Sequence, residues 1–177
     1  MIHALISSKT RIKLLLKFFL NGTTTGYLRG LQSDFGESSN AIRLELNRLE
    51  KAGMLTSSLE GNKKVFRANQ EHPLYDEIHN ILRKHIGLDA IIETVVERLG
   101  NVEKVYLAGQ FARGIDSPII DLLFVGDVDQ SYLIQLIEKA ENLIHRKIRY
   151  LIYPSLDTIA DSLNGFQPTP ILLWAKD

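Results

Sequence analysis

Apolar residues recur at helical spacing over residues 8–20, where Ile12, Leu15, Leu16 and Phe19 share a face and Lys9, Arg11, Lys13 and Lys17 fall mostly elsewhere. Ser7 or Ser8 suits the N-cap of this helix, and Asn21-Gly22 ends it. The run Thr23-Thr24-Thr25 offers the next N-cap, ahead of a helix that carries Tyr27, Leu28, Leu31 and Phe35 and stops at Gly36. A third helix opens at Glu37-Ser38-Ser39-Asn40, keeps Ile42, Leu46 and Leu49 as its core stripe, and ends at Ala52-Gly53. Its other face shows Asn40, Arg43, Asn47 and Arg48. Residues 55–59 and 63–68 then read as two short strands, with Gly61-Asn62 able to take the positive φ of a tight hairpin.

The pattern changes past residue 70. Leu74, Ile78, Ile81, Leu82 and Ile86 predict an amphipathic helix over residues 72–87, with Pro73 in its first turn. A helix over 88–99 and a strand over 104–108 follow, then a turn bounded by glycines, a strand over 119–125 and a helix over 130–144. A strand over 147–153, a short helix capped by Ser155 or Asp157 and ending at Leu163, and a last strand over 171–174 complete the chain. Strands alternating with helices imply an α/β unit with a small sheet. The expected fold class is α+β in two domains, with residues 1–70 forming a winged helix-turn-helix, 71–87 a linker helix and 88–177 a small mixed-sheet α/β domain.

Composition narrows the chemistry. The 177 residues are 45% hydrophobic and 24% charged, which excludes collagen-like and wholly disordered chains. Cysteine is absent, so disulfide frameworks, thiolate zinc sites and cysteine nucleophiles are excluded. The net charge of zero hides a split: 13 Lys/Arg against 8 Asp/Glu in residues 1–87, a balance of +5, and 8 against 13 in residues 88–177, a balance of −5. Such asymmetry points to an N-terminal half that meets a polyanion. The most apolar early stretch, 12–20, is interrupted by Lys13 and Lys17 and is too short to cross a bilayer, so a cytoplasmic protein with no membrane contact is expected.

Three helices followed by a hairpin is the winged helix-turn-helix order, in which the third helix enters the major groove and the hairpin lies along the phosphates. On that reading Ser38, Ser39, Asn40, Arg43 and Asn47 contact base edges of double-stranded DNA, while Lys63, Lys64, Arg67 and Arg48 contact phosphates. The residues that carry a family likeness are Lys9-Thr10-Arg11-Ile12-Lys13-Leu14-Leu15, Glu45-Leu46-Asn47-Arg48-Leu49-Glu50-Lys51-Ala52-Gly53-Met54-Leu55 and Lys64-Val65-Phe66-Arg67-Ala68-Asn69. Residues 9–69 thereby resemble the ArsR-type winged-helix transcriptional regulators. Metal sensors of that type use Cys or clustered His ligands. Here no Cys exists, and the five histidines at 3, 72, 79, 85 and 145 form no adjacent-turn ligand pair, so no metal site is expected.

The second half carries Val105-Tyr106-Leu107-Ala108-Gly109-Gln110-Phe111-Ala112-Arg113-Gly114, and then Ser117-Pro118-Ile119-Ile120-Asp121-Leu122. These stretches resemble the minimal nucleotidyltransferase domain of the DNA polymerase β superfamily over roughly residues 88–160. The resemblance implies a Ser in the glycine turn and two strand carboxylates, one residue apart, that hold divalent metals for phosphoryl transfer. This chain has Gln110 at the Ser position, Ile119 at the first carboxylate and Arg149 on the third strand, leaving Asp121 alone. A single carboxylate does not organise a two-metal site. The module is therefore expected to be a catalytically degenerate nucleotidyltransferase-like domain, with no catalytic residues and no cofactor. Gly109, Gln110, Arg113, Gly114 and Asp121 remain as candidate ligand positions for a nucleotide-type effector, with Arg113 pairing to Asp116 or Asp121 as the bland alternative.

The expected function is a sequence-specific, homodimeric DNA-binding regulator and not an enzyme. The apolar stripe of the 72–87 helix serves either the core or a two-fold interface. Two rivals stand beside this reading: an active nucleotidyltransferase using magnesium around Asp121, and an antitoxin-like chain that holds a protein partner.

Overall fold

Ser8 caps the first long helix, its Oγ accepting a hydrogen bond from Arg11 N at 3.2 Å. That helix, α2 (Lys9–Leu15), follows a short α1 (Ile2–Leu5) and runs without a break into a π-helical turn over Leu16–Leu20. All five residues of the turn are buried, Lys17 included, and the Lys17 amine lies 3.2 Å from an Asp34 carboxylate oxygen. The computed structural model describes residues 2–166 and 169–176. The chain divides into two units, Met1–His85 with Arg113–Asp116, and Ile86–Ala112 with Ser117–Asp177.

In the first unit the threonine run does not cap a helix. Instead Thr25–Tyr27 forms an edge strand, β1, antiparallel to the later hairpin in the register Thr25↔Arg67 and Tyr27↔Val65. Tyr27 is extended and half-buried at the N-cap of α3 (Leu28–Phe35) rather than part of its core stripe. Residue Ser38 caps α4 (Ser39–Lys51), with Ala41 N donating to its Oγ at 3.2 Å, and Ile42, Leu46 and Leu49 are buried as the periodicity predicts. The hairpin of β2 (Leu55–Glu60) and β3 (Lys63–Ala68) turns through Gly61-Asn62, and only Gly61, at φ +63°, takes positive φ. That is the sign pattern of a II′ turn. The sheet order is β1-β3-β2.

Ion pairs tie the helices of this unit together. Arg11 Nε donates to Glu45 at 2.8 Å, and Lys13 Nζ donates to Glu37 at 2.7 Å beside Thr10. Helix α5 (Tyr75–Ile86) begins after Pro73 rather than around it, because His72 Nδ1 accepts from Leu74 N and closes a turn there.

The second unit opens with α6 (Leu88–Ile91), a π-helical turn over Ile92–Val96 and α7 (Glu97–Leu99). Its strands are β4 (Val102–Ala108), β5 (Ile119–Gly126), β6 (Lys147–Tyr153) and β7 (Ile171–Ala175), in the order β6-β5-β4-β7. The glycine-bounded stretch after β4 is a short helical turn, α8 (Gly109–Ala112), rather than a plain loop. Strands β5 and β6 run parallel, which requires a crossover, and α9 (Gln130–Ile144) supplies it. Helix α10 (Leu156–Gly165) follows Ser155 and places Ile159 on Ala108, Leu123 and Val125, with Tyr106, Tyr153 and Phe166 packed around them. The result is a mixed α+β chain with two sheets, and no helix among the described residues is long and apolar enough to cross a membrane.

Candidate functional site

Two places in the molecule gather the residues with chemistry to offer, one in each unit. In the first unit the outward face of α4 and the β2–β3 hairpin border a groove of about 470 Å³. Arg29, Arg43, Lys63 and Lys64 line it together with Asn47, Asn62 and Tyr27, and no carboxylate does. Four cations with two amides and no acid give the groove a positive potential.

These cations differ in how far they are committed. Lys64 Nζ donates to Glu50 at 2.7 Å, and that hydrogen bond, with a second from the Ser57 hydroxyl, holds the Glu50 carboxyl below its usual value. The Lys63 amine sits 4.5 Å from the centre of the Tyr27 ring and Lys64 5.0 Å from that of Phe66. Among the described residues, Arg29 and Arg43 have no side-chain partner.

Other residues expected to touch DNA are placed less uniformly. Asn40 is exposed on the same face of α4, Ser39 is half-buried, and Ser38 is occupied as the cap. Arg48 is exposed and donates to the buried Glu45 at 3.1 Å, beside Arg11. Burial raises the Glu45 carboxyl, but hydrogen bonds from Arg11 and Ser8 and the charges of Arg11 and Arg48 outweigh it and leave a net lowering. Arg67 does not join the groove. It donates to Ser58 at 3.2 Å, lies 3.7 Å from Glu60, and borders a separate depression with Gly22, Thr23 and Thr56.

The second unit has a pocket of about 630 Å³ bordered by Gly109, Asp121, Leu123, Arg149, Tyr150, Leu151 and Phe166. Asp121 and Arg149 are direct neighbours in the parallel register of β5 and β6. Arg149 Nε and Nη2 both reach Asp121 Oδ1 at 2.7 Å. The hydrogen bond and then the charge of Asp121 raise the Arg149 guanidinium above its ordinary value. Two strand positions away on the same face, Ile119 is partnered by Lys147. A metal site of the kind the sequence resemblance implies does not fit this donor set, since its one remaining carboxylate already carries a guanidinium. No cluster of three metal-ligating side chains occurs among the described residues.

Gly109 adopts φ +65°, and a Cβ there would run into the Asp121 carboxylate, so this close approach demands glycine. Of the five candidate ligand positions, Gly109 and Asp121 border the pocket. Gln110 is exposed on α8, and Arg113 and Gly114 belong to the first unit. Asp121 is held by Arg149 of β6.

No family model matches this chain, and no curated protein matches it. Solved structures do. The protein AF1382 from Archaeoglobus fulgidus is similar at 19% identity, over 46% of this chain and 93% of that one, with a TM-score of 0.38. A complex of a tri-AMPylated HEPN toxin with its MNT antitoxin from Shewanella oneidensis is similar at 14% identity, over 51% of this chain and 71% of the other, with a TM-score of 0.38. A proposed nucleotidyltransferase from Sulfolobus solfataricus is similar at 23% identity, over 54% of this chain and 83% of that one, with a TM-score of 0.35. Each likeness covers about half of this chain.

Sequence reasoning missed Arg29, Tyr27 and Asn62 as groove residues. Asn62 comes with the hairpin turn, and the other two depend on β1: once Thr25–Tyr27 pairs with β3, Tyr27 comes beside Lys63 and Arg29 follows in the first turn of α3. The available signal was the β-branched threonine run, which suits a strand as well as a cap.

Proposed function

We propose that the chain is a DNA-binding transcriptional regulator with a winged helix-turn-helix at residues 1–70, a linker helix at 71–87 and a nucleotidyltransferase-like module at 88–177 that does no phosphoryl transfer. The observation that carries the reading is the groove between α4 and the β2–β3 hairpin, lined by four cations and no carboxylate. Arg29 and Arg43 are the first to meet an anion, because neither side chain must leave an ion pair to do so. Lys63 reaches phosphate from its place on Tyr27, and Lys64 exchanges Glu50 for phosphate. Asn40 and Asn47 present amides, the groups that pair with adenine in the major groove.

The proposal includes a homodimer through α5. Ile78 and Ile81 fall on one side of α5, with Ile81 43% exposed, and Leu74, 53% exposed, immediately precedes the helix. Asp76 and Glu77 lie in the first turn, and Arg83 and Lys84 in the last. A helix so charged complements itself antiparallel: Glu77 comes opposite Lys84 of the second copy and Ile78 opposite Ile81 of the second copy. A two-fold dimer matches paired half-sites.

Catalysis is not part of this reading, on the ground that Asp121 is committed to Arg149. The pocket beside that pair is where a nucleotide-type effector would sit.

The test is selection of the full chain against a random-sequence DNA pool at near-physiological salt, followed by anisotropy titrations at several salt concentrations. A two-fold motif is expected, with affinity falling steeply as salt rises and falling further in Arg29→Ala and Arg43→Ala. Binding that is absent at low salt, or unchanged in both variants, overturns the reading.

A further inference from the structure

Leu44 is 52% exposed on α4. The spacing i, i+3, i+4, i+7 puts Asn40, Arg43, Leu44 and Asn47 on one stripe, opposite the buried Ile42 and Leu49. A single exposed leucine on an ordinary surface needs no explanation. This one is set among polar side chains, and two of its stripe neighbours, Arg43 and Asn47, line the cationic groove. An apolar protein partner would bury that charge without compensation, so the face is matched to a polyanion that also presents an apolar group.

Double-stranded DNA has one apolar group of any size in its major groove, the C5 methyl of thymine; cytosine has only a hydrogen at C5, and the remaining base-edge groups there donate or accept hydrogen bonds. Resting on the regulator reading above, we infer that Leu44 packs on a thymine methyl and is a specificity-determining residue of α4. Leucine can neither donate nor accept, so against a cytosine amino group or a guanine carbonyl it strips water and returns nothing. Its neighbours then sort the adjoining positions, with Arg43 suited to guanine and Asn40 or Asn47 to adenine. The half-site consequently contains a thymine at the step facing the second turn of α4.

The experiment is a methyl scan. In the site selected by the full chain, each thymine is replaced singly by deoxyuridine, and affinity is measured for the wild type and for Leu44→Ala. One replacement per half-site is expected to weaken the wild type about 4-fold, the value of one buried methyl, and to leave Leu44→Ala unchanged. Leu44 is exposed, so the variant keeps its melting temperature and its salt slope. Sites that tolerate every replacement, or lose equally in both proteins, overturn the inference while the regulator reading stands. Failure of the wild type to bind any DNA removes both.

Discussion

Arg149 of β6 donates from Nε and Nη2 to a single oxygen, Oδ1 of Asp121 on β5, at 2.7 Å each. The parallel register makes the two residues direct partners, so the contact is built into the sheet rather than borrowed from a loop. It occupies the one carboxylate left where the sequence resemblance implies a metal pair. The expected outcome is that neither the wild type nor Arg149→Ala transfers label from nucleoside triphosphates with magnesium, since removing the arginine still leaves one carboxylate. Transfer that Asp121→Asn abolishes would be the contrary result.

Lys64 is shared between Glu50 and the groove. Lys64→Ala should weaken DNA binding alike on all sequences and flatten the salt slope by about one unit. Glu50→Gln should do the reverse, raising affinity by up to about 5-fold, the range of an exposed ion pair that no longer competes. Asn40→Ala should relax sequence preference instead; equal losses on specific and random DNA would count against its role in reading bases. Anisotropy titrations on both kinds of duplex measure all three.

Glu45 is 6% exposed at its side chain and lies between Arg11 and Arg48. Its carboxyl is lowered in the folded chain, so the stabilisation is complete above the unfolded value and is lost as pH falls through the folded one. Denaturant midpoints should therefore drop as pH falls below about 4. Glu45→Gln should destabilise by about 1–2 kcal/mol at pH 7 and make the acid limb shallower. An acid limb as steep as that of the wild type would show that Glu37, Glu50 and Glu141, also lowered, carry the dependence instead.

The α5 stripe makes a prediction with an internal control. Ile81→Asp should convert the dimer to monomer in sedimentation velocity. Glu77→Lys alone should weaken association by placing like charges together, and Glu77→Lys with Lys84→Glu should restore it. A monomeric wild type at micromolar concentration would refute the interface.

Helical periodicity carried most of the legible fold. The core stripe of α4, its start within Glu37–Asn40 and its end at Ala52-Gly53 follow from spacing and local chemistry alone, while the structure spends Ser38, expected at base edges, on the cap. The hairpin was equally readable, because Gly61 sits between two strand-like runs. Strand β1 was not, since three residues are too few for a period and their partners lie about 40 positions on, at Val65 to Arg67. Helix α5 starts later than Pro73 suggests: proline suits a first helical turn by its φ, whereas a hydrogen bond to the His72 ring keeps that turn outside the helix. At the sites the same division holds. The outward polar face of α4 could be listed from the sequence, but the separation of Arg67 from Lys63 and Lys64 depends on which depression each side chain borders. That Arg149 rather than another cation holds Asp121 follows from the β5–β6 register, which the intervening crossover helix fixes in space and not in sequence.

The paired positions on β5 and β6 also constrain which substitutions could gather acids there. An acid introduced at position 119 would face Lys147 and form another ion pair, and an acid introduced at 149 would face Asp121 as a like charge. Neither single step yields a metal cage, and the second is unfavourable by itself. A carboxylate cluster on these two strands therefore requires coordinated change at 119, 147 and 149, and no single substitution builds one.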